Sequence, residues 1–120
     1  WNPTGRKWEE MTAAEKPLVT VEKPPFAKDA WTHIAFTIDH FNTGRPDGVA
    51  RLYLNGKAAG EIPARPQTFT WDREKAILML GVSYAGLMDD LALFDRALTA
   101  EEIAHLHTLG TKISTLHPNP

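Results

Sequence analysis

Hydrophobic and polar positions alternate most clearly between residues 31 and 39, in the run WTHIAFTID. With a period of two, Ile34, Phe36 and Ile38 fall on one face of an extended strand. The run is rich in β-branched and aromatic residues, which favour strands. The opposite face is also mostly apolar, through Ala35 and the tryptophan that opens the run. The pattern therefore predicts a strand inside a sandwich, with apolar neighbours on both sides.

A β-hairpin follows this strand. Residues 49–54 (VARLYL) and 57–62 (KAAGEI) are two strand-like runs separated by Asn55 and Gly56. Asn-Gly supplies the two positive φ angles of a type I′ turn, whose twist matches that of paired strands. Before the hairpin, the run FNTGRPDG at residues 41–48 is dense in turn formers and predicts a surface loop.

Other short apolar runs predict further strands, and the end of the chain predicts one helix. The strand-like runs are residues 18–22, 67–71, 76–80 and 86–95. Thr99 is placed to be a helix N-cap, with Glu102 three residues later to complete a capping box and Leu98 to contact Ile103 as a hydrophobic staple. A helix from about Ala100 to Leu109, stopped by Gly110, is therefore expected.

These elements together predict an all-β fold. Many short strands with turn signals between them, and a single short helix near the C-terminus, favour an antiparallel two-sheet sandwich. Strand-helix-strand alternation, which marks α/β folds, is not seen. A length of 120 residues fits one domain, and 42% hydrophobic with 23% charged residues is the composition of a folded globular protein.

Charge and composition narrow the function classes. The net charge is −2, and no basic run with interleaved aromatics is present, so nucleic acid is not an expected partner. The absence of cysteine excludes disulfides, thiolate metal sites and a cysteine nucleophile. No apolar stretch approaches the roughly 18 residues of a membrane span, and no leader is present, so membrane insertion is not expected. The first residue is Trp1 instead of Met, which indicates a processed product or a piece of a longer chain.

Four motifs resemble the laminin-G-like members of the concanavalin A-like superfamily. They are WTHIAF at residues 31–36, LYLNGK at 52–57, LMLG at 78–81 and, most specifically, GLMDDLALFDRALTAEEI at 86–103. Their order and spacing match over residues 30–107. The resemblance implies a two-sheet concanavalin A-like jelly roll, possessing one short C-terminal helix, in an extracytoplasmic protein that is periplasmic, secreted or at the cell surface.

The resemblance also implies a division of the chain. Residues 1–28 are interpreted as a loose N-terminal arm with one short strand, 29–117 as the sandwich and 118–120 as a tail. The motifs correspond to the later strands of the jelly roll, and the early strands are not evident. Either the arm supplies an abbreviated version of them, or they lie elsewhere in a parent protein. An incomplete sandwich exposes a sheet edge, so another segment of the parent protein that completes the sheet is an expected partner.

Lectin-like relatives bind sugars or protein surfaces, and this chain has candidate residues for such contacts. Pyranose rings need an aromatic platform beside planar polar groups. The candidates are Trp71 with Asp72 and Arg73, Tyr84 in its turn, and the loop residues Arg45 and Asp47. Each is more simply interpreted as ordinary core or solvated loop.

Asp89 and Asp90 are candidate ligands for a structural Ca²⁺, because this ion favours clustered hard oxygens and related domains often carry it. The alternative is an aspartate that accepts backbone N–H groups of a neighbouring turn and never contacts a metal. No other cofactor is expected. His33 is interpreted as a packed residue with a hydrogen-bonded ring, and His105 and His107 diverge on the helix because they are two residues apart.

The expected function is a non-catalytic recognition or accessory module that binds a carbohydrate or a protein surface. The alternative is a purely structural domain that packs within a larger extracytoplasmic protein or enzyme and has no ligand. A glycoside hydrolase on this fold needs two carboxylates on one strand face. The adjacent residues Asp89 and Asp90 point to opposite faces of their predicted strand, so no enzymatic activity is expected.

Overall fold

The computed structural model describes residues 7–70, 72, 74–77 and 79–109. In chain order its elements are a short 3-10 helix (Trp8–Glu10), β1 (Ile34–Asp39), β2 (Gly48–Leu54), β3 (Lys57–Arg65) and α1 (Ala100–Thr108). The three strands form one antiparallel sheet in the order β1-β2-β3. The predicted fold class, mostly antiparallel β with one short helix, is confirmed. What the described residues show is a partial jelly roll, because they contain one layer of paired strands.

The predicted hairpin forms around Asn55 and Gly56. Their φ angles are 50° and 75°, the left-handed values that a type I′ turn requires. β2 and β3 pair directly from Leu54 opposite Lys57, and the register then shifts between Leu52 and Tyr53. Such an irregularity bends a strand and increases its twist.

β1 pairs with β2 in a regular register from Ile34 opposite Leu54 to Asp39 opposite Val49. Residues directly opposite each other in an antiparallel pair have their side chains on the same side of the sheet. One side, which we call the open side, carries Ile34, Phe36 and Ile38 of β1 and Ala50, Leu52 and Leu54 of β2. The other, which we call the helix side, carries His33, Ala35, Thr37 and Tyr53.

α1 begins with the predicted capping box. The Thr99 hydroxyl accepts the Glu102 backbone N–H at 3.2 Å, and a Glu102 carboxylate oxygen accepts the Thr99 N–H at 2.8 Å. Arg96 donates to both oxygens of the same carboxylate. The hydrogen bonds from Arg96 and then from Thr99 lower the pKa of Glu102 to about 2. The predicted helix stop at Gly110 lies outside the described residues.

α1 packs on the hairpin turn at the helix side of the sheet. Ile103, on the inner face of α1, is fully buried. The ring of His107 lies 5.7 Å from the ring of His33, measured between centroids. A Cβ atom on Gly56 would lie 3.1 Å from the Cβ of His107 and 3.2 Å from the Cα of Ala104. The helix therefore fits this turn because residue 56 has no side chain.

The N-terminal arm covers the β3 end of the open side. Met11 is buried, and the Arg65 guanidinium donates to the Glu15 carbonyl at 3.2 Å. Val19 approaches Gly60 so closely that a Cβ on this glycine would lie 2.5 Å from the Val19 Cγ1. Since Gly60 is paired with Leu52, Val19 lies over the open side there. The coverage does not reach β1, where Ile34 and Phe36 are 55% and 57% exposed.

Several sequence predictions about strands are wrong for the described residues. The runs at 18–22 and 86–95, and the described parts of 67–71 and 76–80, are not strands. In the 86–95 run, Asp90 has a φ of 53°, which breaks an extended strand. Within the described residues these runs have no neighbouring strand to pair with, and an extended segment is not stable without its ladder. The expected burial of Ile34 and Phe36 is also wrong, because the described part of the chain forms no second layer over them.

Substitution of Gly56 by alanine tests the contact between the turn and the helix. Gly44 is a matched control, since its φ of 71° is similar but no atom lies within 4 Å of an added Cβ. Gly44→Ala should lower the unfolding free energy by about 1 kcal/mol through backbone strain alone. Gly56→Ala should lower it by about 1 to 3 kcal/mol more, because the added methyl group displaces α1. Urea denaturation measures both, and equal losses would contradict the described contact.

Candidate functional site

Arg45 and Asp47 lie together in the loop between β1 and β2. The Arg45 Nε is 3.0 Å from the Asp47 Oδ2, and the Thr43 hydroxyl donates to the Asp47 Oδ1 at 2.6 Å. The hydrogen bond from Thr43, with the nearby Arg45 charge, lowers the pKa of Asp47. Both candidate residues thus have their polar groups paired within their own loop.

Asp72 lies in a turn of its own. Its carboxylate is 3.1 Å from the Lys75 Nζ and accepts the Glu74 backbone N–H at 3.2 Å. An open concavity of about 400 Å³ is lined by Asp72, Lys75, Ala76 and Ile77. The neighbouring candidates Trp71 and Arg73 lie outside the described residues, so their predicted roles stay predictions.

Tyr84 occupies a third turn. Its backbone N–H donates to the Gly81 carbonyl at 3.0 Å, and its hydroxyl donates to the Leu87 carbonyl at 3.3 Å. The ring remains half exposed. The hydrogen bonds described for Tyr84, Asp72, Arg45 and Asp47 all stay within the segment that carries each residue, and none joins two of the three turns. The predicted sugar-binding contacts stay a prediction.

Asp89 and Asp90, the candidate Ca²⁺ ligands, lie outside the described helices and strands. The Asp89 carboxylate accepts the Asp90 backbone N–H at 2.9 Å, which matches the turn interpretation that the sequence left open. In the part of the chain that the structure describes, no group of three or more acidic, histidine or cysteine side chains is close enough to hold a metal ion. The predicted Ca²⁺ role of Asp89 and Asp90 stays a prediction.

The open side of the sheet is the largest departure from what the sequence predicts. Ile34 and Phe36 project from β1 into solvent, and many apolar side chains between β3 and α1 are exposed as well. The latter are Ile77, Met79, Leu80, Val82, Leu87, Met88, Leu91 and Leu93. Where exposed apolar side chains are contiguous over more than a few hundred Å², such surface marks an interaction site. The sequence feature that could have predicted this exposure is the lack of evident early jelly-roll strands.

His33 and His107 form a junction that sequence analysis missed. The His33 backbone N–H donates to the Asn55 side-chain oxygen at 3.0 Å, so the residue is fixed at the hairpin turn. Its ring Nδ1 is buried and has no hydrogen-bond partner, which corrects the expectation of a hydrogen-bonded ring. Burial, and then the charge of His107, lower the pKa of His33. The neutral form of His33 is therefore the form that fits this junction.

The fold agrees with one class of protein, the antiparallel β-sandwich, of which the described residues form one sheet. The chain belongs to the laminin-G-like family of the concanavalin A-like lectin/glucanase superfamily, whose model matches residues 1–104. The resemblance stated from the motifs is thereby confirmed. Domains of this family are generally non-catalytic.

A solved structure is similar to this chain. It is a crystal structure of an S-layer domain-containing protein from Clostridium thermocellum ATCC 27405, with 26% sequence identity and a TM-score of 0.57. The alignment covers 72% of this chain and 43% of that chain. This chain therefore spans less than half of the relative's length. Among the described residues, no helix is both long and apolar enough to cross a membrane.

The His33 junction predicts a pH dependence of stability. An unfolded histidine titrates near its usual pKa of 6.5, whereas the folded state holds the pKa of His33 lower. The unfolded state therefore binds more protons between these two values. Stability should be constant above this window and fall as the pH drops through 6.5 towards the folded pKa.

His107→Gln should reduce this slope, because the substitution removes the ring that contacts His33 and whose charge helps to lower the pKa of His33. His105→Gln, on the exposed side of the same helical turn, is the matched control and should leave the slope unchanged. Glu102 titrates at lower pH and does not interfere. Urea denaturation at a series of pH values measures the effect, and a slope unaffected by His107→Gln would contradict it.

The calcium prediction is tested by thermal unfolding with excess CaCl₂ and with EDTA. Because Asp89 is engaged with a backbone N–H group and lacks clustered acids, we expect the same midpoint in both conditions. Asp89→Asn should be equally indifferent to calcium. A calcium-dependent rise of the midpoint that Asp89→Asn abolishes would establish a metal site there and contradict this expectation.

Proposed function

We propose that this chain is a non-catalytic recognition and accessory module of a cell-surface protein, and that it associates with protein segments through the open side of its sheet. The extracytoplasmic location is supported by the S-layer domain in the name of the similar structure. The accessory role is supported by the family, whose domains are generally non-catalytic. The proposal favours a protein surface over a carbohydrate as the partner.

The observation that carries this proposal is the exposure of Ile34 and Phe36 on a regular strand. Ile103 in α1 is fully buried, whereas these two side chains of β1 are more than half exposed. Burying them against another protein removes apolar area from water, worth about 25 cal/mol per Å². An apolar sheet surface offers few hydrogen-bonding groups to a sugar hydroxyl, but it can pack against apolar side chains of another protein.

The charged side chains within the sheet agree with a non-catalytic role. Asp39 at the end of β1 lies 3.4 Å from the ring of His40, and Glu61 of β3 lies 3.3 Å from the guanidinium of Arg51. Each acid is thus engaged with a basic neighbour. The geometry of an acid and a nucleophile flanking a glycosidic bond needs two free carboxylates that face each other.

Carbohydrate binding is a second candidate, favoured by the concavity beside Asp72. Its carboxylate, the Lys75 ammonium and the apolar surface of Ile77 are the kinds of groups that contact a sugar ring. The existing ion pair between Asp72 and Lys75 competes with such a ligand.

A glycan array, probed with and without calcium, distinguishes the two candidates. The protein-surface proposal predicts no glycan signal above background in either condition. It also predicts that the apolar dye ANS binds the folded protein, and that Ile34→Ser combined with Phe36→Ser lowers the dye fluorescence several-fold. Phe26→Ser, which removes an exposed aromatic from the arm, is the control and should have a smaller effect.

A specific glycan signal that Asp72→Asn abolishes would overturn the protein-surface proposal in favour of carbohydrate binding. Dye fluorescence that is unchanged by the double substitution, with circular dichroism confirming the fold, would also contradict the proposal, because it would show that the open side is covered.

A further inference from the structure

β1 has one paired edge and one free edge. The Asn55 backbone N–H donates to the His33 carbonyl at 2.8 Å, and these two residues lie directly opposite each other in the β1–β2 register. In an antiparallel ladder the residues of such pairs exchange hydrogen bonds, and alternate residues point the other way. His33, Ala35, Thr37 and Asp39 therefore direct their N–H and C=O groups at β2.

It follows that Ile34, Phe36 and Ile38 direct their N–H and C=O groups away from β2. β1 is the first strand in the sheet order, and within the described residues no strand pairs with its other edge. The run IAFTID has no proline or lysine, the residues with which proteins commonly protect a free edge. The same three residues carry the apolar side chains of the open side, so backbone and side chains are exposed together.

The sequence of β1 is self-complementary in one antiparallel register, which is centred on Phe36. In that register Phe36 lies opposite Phe36 of a second copy, and Ile34 lies opposite Ile38. Each of the three residues whose backbone groups point away from β2 then lies opposite another such residue, and each pair exchanges two backbone hydrogen bonds. Moving the centre to Ala35 or to Thr37 sets an isoleucine opposite Thr32 or His40 and loses this match.

The helix side of the sheet supports the same register. There Ala35 lies opposite Thr37 of the second copy, and His33 lies opposite Asp39. These are non-hydrogen-bonded pairs, whose side chains approach each other more closely than those of the hydrogen-bonded pairs. The Asp39 carboxylate already lies 3.4 Å from the His40 ring, and the His33 ring contacts His107, so this pair places no like charges opposite each other.

From this complementarity we propose that the free edge of β1 is a dimerisation edge, at which a second copy of this chain pairs antiparallel about Phe36. The result is a six-stranded sheet in the order β3-β2-β1-β1-β2-β3, related by a two-fold axis beside Phe36. The inference rests on the proposed function, since it uses the open side of the sheet, and it names the protein partner as the chain itself. Isologous two-fold contacts of this kind are the commonest form of homodimer.

A charge at position 36 tests the two-fold axis directly, because residue 36 is its own neighbour in the dimer. Phe36→Lys and Phe36→Glu should each be monomeric in sedimentation velocity, since like charges directly opposite destabilise pairing. An equimolar mixture of the two variants should dimerise, because opposite charges then meet at the axis. Leu93→Lys, at an apolar side chain outside the sheet that is 78% exposed against 57% for Phe36, is the control and should remain dimeric.

A cysteine at the same position gives a second and independent test. The chain has no cysteine, so Phe36→Cys introduces a single thiol. Hydrogen-bonded antiparallel pairs have Cα atoms about 5.5 Å apart, within the range of about 4.4 to 6.8 Å that a disulfide spans. Mild oxidation should crosslink Phe36→Cys nearly completely, whereas Leu93→Cys should crosslink far more slowly. This test decides the matter if the charged variants fail the circular-dichroism check of folding.

Several outcomes overturn the proposal. A wild-type chain that stays monomeric at millimolar concentration contradicts it, and so does a dimer that both charged variants leave intact. If the chain is monomeric but its ANS fluorescence still falls on substitution of Ile34 and Phe36, the dimer is refuted while the protein-surface function stands, and a segment of a longer parent protein is then the occupant. If the chain is monomeric and its ANS fluorescence does not fall on substitution of Ile34 and Phe36, both the dimer and the protein-surface function are refuted.

Discussion

The rest of the structure depends on the hydrogen-bonded contact between Asn55 and His33. Asn55 takes the left-handed φ that begins the hairpin turn, donates its N–H to the His33 carbonyl, and accepts the His33 N–H with its side-chain oxygen. This one contact sets the register of β1 on β2. The register in turn determines that Ile34, Phe36 and Ile38 face the free edge. The adjacent Gly56 leaves the space in which α1 packs, so strand order and helix position are both set at the turn.

The distribution of apolar surface gives a physical reason for the proposed association. The arm and α1 cover part of the sheet and bury Met11 and Ile103, whereas Ile34 and Phe36 of β1 are more than half exposed. A sheet with an uncovered apolar side gains stability when a partner covers it. Association is therefore an expected property of the chain and gives a physical reason for an accessory role.

Local features of the fold were predictable from the sequence, whereas features that depend on distant partners were not. The Asn-Gly turn and the Thr99 capping box were predicted correctly, because the residues that stabilise each are within a few positions of each other. The strand predicted at residues 86–95 was not, because a strand also needs a neighbour, and Asp90 leaves the extended conformation. The stacking of His33 on His107 joins residues far apart in sequence, and only the folded hairpin and helix bring them together.

The candidate site divides in the same way. Arg45, Asp47 and Asp72 were recognisable as polar candidates, but the pairing of Arg45 with Asp47 and of Asp72 with Lys75 within single turns could not be foreseen from residue types. The importance of Ile34 and Phe36 was visible as an alternating apolar pattern. Which way these residues face depends on the layer that covers them, so the pattern alone predicted burial where the structure has exposure.

Amide hydrogen exchange along β1, followed residue by residue by NMR at two protein concentrations, tests the central claim most directly. The amides of Ala35, Thr37 and Asp39 should be protected at both concentrations, because β2 accepts them. Those of Ile34, Phe36 and Ile38 should exchange rapidly in dilute protein and become protected as the concentration rises. Equal and concentration-independent protection of all six amides would show that the edge is already paired within one chain, and would contradict the account.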